Sequence, residues 1–401
     1  MRFLQGSVLI VSSLVVVGTY GCPASTGTPL TDAGQQSMGS PDTGYVHDAG
    51  PGYDAGNQMM TFVPPTSDAG TISVVAGDSS TGLDTPTAIQ VQGTNVYWTQ
   101  QDDPGAVVGT PIAGGTVTTV ASGLHSPDSL SVDSTNAYWS EYGTTSSSNG
   151  TQSYNNDGAI VQAPLVGGGT VTTIASMQTY PGGVTVNGST VYWTVQGDMT
   201  ANGAVLSVPV GGGTVSTIEM SQASPLTLTT DGTNVYWGNY GTFNNNNDYN
   251  GDGAILQAPV AGGTVVTIAS SQLQPAAIAV DATNIYWATQ GGLNTSTGAP
   301  VPNSGTIVKA PVGGGTPVTL ASSQDWPTGL AIDSQNVYWV NTGSGMNDGE
   351  IVVVPIAGGT PATLVYSGVN PTGLALTSTG ILWTDTGATG YPGQILEISP
   401  K

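Results

Sequence analysis

The chain has 401 residues, with 25 Asp and Glu against 3 Lys and Arg, for a formal net charge of −22. Charged residues make up only 7% of the chain, and Gly occurs 59 times, so Thr, Ser, Asn, Gln and backbone must cover much of the surface. The cations are Arg2, Lys309 and Lys401; this excludes a nucleic-acid binder, which needs a basic patch to displace counterions, and argues against an Arg-clamped phosphate site.

In chain order, Arg2 precedes an apolar run from Val8 to Val17. The run is too short to span a bilayer but fits the apolar part of a secretory signal. Residues 1–21 read as a signal peptide ending in small residues before Cys22, the single cysteine. A lone exported thiol is unusual, because exported cysteines pair. Thr19-Tyr20-Gly21-Cys22 resembles a bacterial lipoprotein signal, with Thr19 where a leucine is usual. The resemblance implies lipid on Cys22 and an extracytoplasmic place in a bacterial cell envelope, at the outer membrane, with plain secretion as the alternative. The membrane would then be met only through the lipidated N-terminus.

Residues 22–70 carry Asp-Ala-Gly or a near variant at Asp32, Asp42, Asp48, Asp54 and Asp68, interspersed with prolines. Such an acidic low-complexity segment cannot bury enough apolar surface to fold and reads as a tether.

From residue 71 the chain repeats. A Pro opens a short apolar run, a turn follows, and then a Tyr-Trp strand, as in Pro127 to Asp133 with Tyr138-Trp139 and Pro275 to Asp281 with Tyr286-Trp287. Trp98, Trp139, Trp193, Trp237, Trp287, Trp339 and Trp383 stand 41, 54, 44, 50, 52 and 44 residues apart. Each is followed by a polar loop, an apolar segment, a Gly-rich turn and a Thr-rich strand, which predicts four short strands per unit. Seven such units predict an all-β chain, a seven-bladed β-propeller over 71–401. The last unit lacks its fourth strand, and Thr71 to Ala76 resembles Thr116 to Ala121. The N-terminal strand, 71–76, is therefore expected to complete the last blade and close the ring.

The pattern Pro327 to Trp339, Pro-x-Gly-Leu-Ala-Ile-Asp followed by Val-Tyr-Trp, resembles YWTD-type and related TolB-like or NHL-like propellers. The resemblance covers 71–401 and implies fold rather than activity; the fourth position of the motif is Asp only at Asp385. The whole arrangement also resembles uncharacterised propeller lipoproteins of myxobacteria-like bacteria.

What recurs in every blade belongs to the scaffold, and what departs is a candidate for function. The seven tryptophans read as packing between blades, and Asp133, Asp231, Asp281 and Asp333 as turn caps. Trp326 is out of register, in a loop that enters an inner strand. Tyr180, His125, Asp325 and Asp128 join it as candidates around one mouth of the central channel. Aromatics beside carboxylates suit a glycan, a cationic peptide or a protein partner. The loop Asp248-Tyr-Asn250-Gly-Asp252-Gly253 fits the opening of a calcium loop, although its twelfth position is Pro259; Ca²⁺ is weighed against a simple Asx-turn. No other cofactor is expected. The leading function is a membrane-anchored extracytoplasmic binding module; the alternatives are a metal-assisted lyase or hydrolase at the channel mouth and a structural envelope component.

Overall fold

The computed structural model describes residues 70–77, 85–148, 151–197, 201–242, 250–293, 301–343, 348–367, 370–387 and 393–401. The signal segment, Cys22 and the tether lie outside them. The described residues form seven four-stranded antiparallel sheets and one short hairpin. Blade 1 comprises Pro86–Gln92, Asn95–Gln100, Gly105–Pro111 and Thr118–Leu124. Blade 2 comprises Pro127–Val132, Asn136–Glu141, Gly158–Pro164 and Thr172–Gln178, with the hairpin Thr145–Ser148 and Thr151–Tyr154 inserted after its second strand. Blades 3 to 6 follow over 181–222, 225–272, 275–324 and 327–367. Blade 7 takes Pro371–Leu376, Ile381–Asp385 and Gln394–Ser399 from the C-terminus and Thr71–Ala76 from the N-terminus.

Each inner strand begins with proline. Such a strand borders the channel on one side, so the missing N–H costs no ladder bond there. The second strand is buried on both faces, which is why it reads as an unbroken run such as Val96-Tyr-Trp98. Because successive side chains point to opposite faces, Tyr and Trp of one strand enter different cores. Tyr97 of blade 1 shares a cluster with Trp139 of blade 2, Tyr138 with Trp193, and Tyr286 with Trp339. The ring closes on the same rule, with Leu382 of blade 7 against Trp98 of blade 1. At that seam the Thr384 hydroxyl donates to the Thr87 carbonyl, 297 positions away in sequence, at 2.8 Å.

A second device joins the blades. The outer strands turn through a left-handed residue (Met177, Ser221, Ser271, Ser323) one place before a glutamine, and such bulges re-aim the next side chain. Gln178, Gln222, Gln272 and Gln324 each accept the indole N–H of the following blade's tryptophan at 2.8–2.9 Å. Where the position is Leu124, Trp139 donates to Glu141 instead, at 2.9 Å.

The aspartate turns are caps. Asp281 Oδ1 accepts the N–H groups of Thr283 and Asn284 at 2.7 Å, and its Oδ2 accepts the Tyr286 hydroxyl at 2.8 Å. Asp133, Asp231 and Asp333 repeat the pattern. Burial alone would raise these carboxyls, but the donated hydrogen bonds outweigh it and hold all four below the usual carboxylate range. Asp281→Ala is expected to lower unfolding free energy by about 1–2 kcal/mol, since two backbone donors and a hydroxyl lose their acceptor; urea denaturation at neutral pH checks this.

Candidate functional site

One end of the ring is built by the connections that enter each inner strand together with the loops that leave each Tyr-Trp strand. A backbone bond ties the two in all seven blades: Gln101, Tyr142, Gln196, Tyr240, Gln290, Thr342 and Thr386 donate their N–H to the carbonyls of Thr85, Ser126, Tyr180, Ser224, Gln274, Trp326 and Asn370. The first six of these acceptor residues hold a positive φ, from 21° to 58°, in the left-handed region that non-glycine residues rarely occupy. The sequence placed Trp326 and Tyr180 in this ring of positions, and they stand in it. Trp326, however, is buried, with 7% exposure, so its ring faces the protein. Tyr180 is half-buried.

The inner strands of all seven blades enclose a central cavity of about 230 Å³. This has room for several waters but falls below the roughly 300–1,000 Å³ of pockets that enclose a drug-sized ligand. Asp128 is the one carboxylate in its wall, at a position filled by Thr87, Gly182, Leu226, Ala276, Thr328 and Thr372 in the other blades. Asp128 is only 8% exposed. Gln101 Nε2 donates to its Oδ1 at 3.2 Å, and the Tyr142 hydroxyl donates to its Oδ2 at 3.1 Å. Burial pushes the Asp128 carboxyl up to about 7, against the lowering effect of the Tyr142 bond. Burial and the neighbouring Asp128 carboxyl push the Tyr142 hydroxyl up as well.

The Tyr142 ring, itself only 3% exposed, links Asp128 to residues nearer the surface. Tyr154, at the end of the inserted hairpin, lies 5.3 Å from it centroid to centroid, and Tyr180 meets Tyr154 edge-on at 5.9 Å. Edge-on and tilted pairs at such distances are favourable. Asp128 and Tyr180 thus belong to one aromatic-lined rim shared by blades 2 and 3. His125 stands apart on the surface, its side chain 50% exposed, with Nδ1 at 3.3 Å from Asp103. Asp325 is in a separate concavity between blades 5 and 6, where its Oδ1 accepts the Asn303 N–H at 3.4 Å.

Of the calcium-loop residues, Asp248 lies outside the described residues. Asn250 donates to Thr242 Oγ1 at 2.8 Å. Asp252 accepts the Thr242 N–H at 2.7 Å and the Thr242 hydroxyl at 2.6 Å, one on each oxygen. Asn155 and Asp157 make the same bonds to Thr144 in blade 2. Both carboxylates thus tie the loop to the start of the next strand, and among the described residues no group of three His, Cys, Asp or Glu side chains is placed to hold a metal ion.

Gln101, Tyr142 and Tyr154 were missed from sequence. For Gln101 and Tyr142 the signal lay in the position three residues after each tryptophan, which reads Gln101, Tyr142, Gln196, Tyr240, Gln290, Thr342 and Thr386, a polar ring one place beyond the YWTD-like motif; Tyr154 has no such mark.

No family model matches the chain, and no curated protein matches it. Among solved structures it is similar to the hydrazine synthase of Kuenenia stuttgartiensis, at 15% identity and a TM-score of 0.58 over 80% of this chain and 97% of that one. It is similar to the WD40 β-propeller domain of Doa1, at 11% identity and a TM-score of 0.56 over 82% and 97%. It is also similar to the computationally designed Ika8 protein, at 16% identity and a TM-score of 0.51 over 78% and 83%. At such identities the likeness is one of fold, and with the blade topology it makes the chain a seven-bladed β-propeller.

Proposed function

We propose that this protein is a lipid-anchored, extracytoplasmic binding module that takes a protein, peptide or glycan partner across the rim formed by Asp128, Tyr142, Tyr154 and Tyr180. The observation that carries the reading is the departure of this rim from the repeat. A buried carboxylate stands where the other blades carry Thr, Gly, Leu or Ala, and it heads a chain of three tyrosines in contact through the inserted hairpin. The small cavity beneath favours recognition across the face over engulfment. The anchor rests on Cys22 and the signal-like segment before it.

Two experiments test the two halves. Expressed in a bacterial host with an alkyne-labelled fatty acid, the wild type is expected to take the label and Cys22→Ser to take none; label on the variant, or none on the wild type, refutes the anchor. For the rim, a glycan array and a peptide library are screened with the full chain and with Tyr180→Ala combined with Asp128→Asn. At least a tenfold weaker signal is expected from the folded double variant. Retention of every hit at full strength places binding elsewhere.

A second reading, a lyase or hydrolase at the same mouth, draws on one observation, the Asp128 carboxyl raised to about 7. A carboxyl poised there suits general acid–base work at neutral pH. It would require a turnover that Asp128→Asn abolishes.

A further inference from the structure

Between blades 5 and 6, at the mouth end of the ring, lies a concavity of about 290 Å³ whose wall includes Asp325, Asp348, Glu350 and Asn341. The two cations placed among the described residues are engaged elsewhere, Lys309 Nζ on the Ile356 carbonyl at 2.6 Å and Lys401 Nζ on Asp333 at 3.1 Å. Three carboxylates thus share one wall, Asp325 there accepting the Asn303 N–H at 3.4 Å. Burial raises the Glu350 carboxyl, and the charges of Asp325 and Asp348 add to that rise.

A second feature is independent of charge. The Trp339 indole, which can only donate, gives its N–H to Gln324 Oε1 at 2.8 Å. The same oxygen accepts Asn341 Nδ2 at 3.1 Å, and Asn341 Nδ2 also reaches Glu350 Oε2 at 3.5 Å. This order fixes the Asn341 amide and leaves its Oδ1 buried without a donor; Asn341 itself is 4% exposed. A buried acceptor left unsatisfied is costly unless something supplies a hydrogen. The repeat supplies a comparison. In blade 4, Trp237, Gln222 and Asn239 form the same relay, and Asn239 Oδ1 is likewise without a donor. There, however, the residues equivalent to Asp325 and Glu350 are Ala223 and Ala254. The scaffold produces the free oxygen in both blades, and the Asp348 position is acidic in both, as Asp252 in blade 4; what blade 6 adds beside it is Asp325 and Glu350.

The carboxylates do not converge on a point that would hold a metal ion. A wider cation with several N–H donors matches both the spread of charge and the unsatisfied oxygen. We propose that this cleft binds an alkylammonium or guanidinium group, presented either by a Lys or Arg side chain of a peptide or by a free polyamine. The site is separate from the Asp128 rim and stands whether or not that rim binds a partner.

The test is a titration of the full chain at low salt with agmatine and with acetyl-Ala-Arg-Ala-amide, read by calorimetry and by the indole N–H resonances. Saturable binding of at least one probe is expected, with tetramethylammonium, which has no N–H, at least fivefold weaker. The Trp339 indole should shift on binding, through Gln324 and Asn341, while the Trp237 indole stays in place. Asp325→Asn combined with Glu350→Gln should weaken the probe at least tenfold, and Asp128→Asn should leave its affinity within twofold. Tighter binding of the peptide than of agmatine assigns the source to a polypeptide, and the reverse assigns it to a polyamine. The proposal is overturned by absence of saturable binding of both probes up to about 10 mM, by equal shifts of the two indoles, or by a double variant that binds as well as the wild type. Loss of binding in Asp128→Asn alone would place the cation at the central mouth and overturn it equally.

Discussion

Removal of residues 71–76 is expected to abolish cooperative folding or to lower the melting temperature by more than about 10 °C. The strand pairs with Gln394–Ser399, Thr71 opposite Ser399 and Val74 opposite Leu396. Its Val75 and Ala76 are buried in the cluster that holds Ile89, Val96 and Trp98 of blade 1 with Leu382 and Ile395 of blade 7. Burying one Val or Ile side chain contributes about 1.5–3 kcal/mol. Loss of Val75, part of Ile72 and the outer ladder therefore approaches the roughly 5–15 kcal/mol that holds a whole domain. The deletion would also leave 394–399 as an unpaired edge, open to association with other chains. Thermal melting and size-exclusion chromatography decide the matter. A synthetic peptide of residues 70–77 should restore the transition by adding the strand back in trans. An unchanged melting curve in the deletion would mean that the ring does not depend on this closure.

Asp128→Asn is expected to make the protein more stable at pH 8 and no more stable near pH 4. The wild-type carboxyl is raised from 3.8 to about 7 by burial, so between those values the folded state binds a proton that the unfolded chain has lost. Wild-type stability should then fall as pH rises through that window, by up to about 1.4 kcal/mol per pH unit, and level off above it. The amide carries no such proton, so its curve should lack the slope. Asp133, Asp231, Asp281 and Asp333 act with the opposite sign. Their folded values are lowered, so their contribution is complete above the ordinary carboxylate range and lost as pH falls through the folded values. That acid limb should survive in the variant. Urea midpoints from pH 3 to 9 for both proteins separate the two effects; parallel curves from pH 4 to 8 would show that Asp128 does not titrate as its burial implies. A residue that costs stability at neutral pH marks a place where the scaffold departs from its own optimum, as sites for ligands do.

The ring was legible in the sequence because its cause is local and repeated. A Tyr-Trp strand buried on both faces reads as such in any one blade, and seven copies with a missing last strand leave only one way to close. The relay from Gln178, Gln222, Gln272 and Gln324 to the next blade's tryptophan was not singled out, although the spacing of 15 residues is constant. A bulge decides where those glutamines point, and no residue pattern announces its left-handed turn. Asp128 could be picked out because its neighbours in register are small or neutral. Its partners were marked only by position: Gln101 and Tyr142 each stand three residues after a tryptophan, but Gln101 comes from another blade, and Tyr154 comes from a hairpin inserted in a loop. Trp326 shows the limit in the other direction. Its register placed it correctly, but register does not say whether a ring on a strained turn faces out or in.

The chain also has a polarity that bears on how the protein can be held. The closing strand starts at Thr71 beside Ser399, and Lys401 donates its N–H to Thr379 in the turn between the first two strands of blade 7. That turn is at the opposite end of the ring from the Asp128 rim. Both termini of the propeller therefore leave from its back. A resin or a sensor surface coupled directly at either one would grip that back and leave the opposite, Tyr180-bearing end facing open solution, free for a partner to approach.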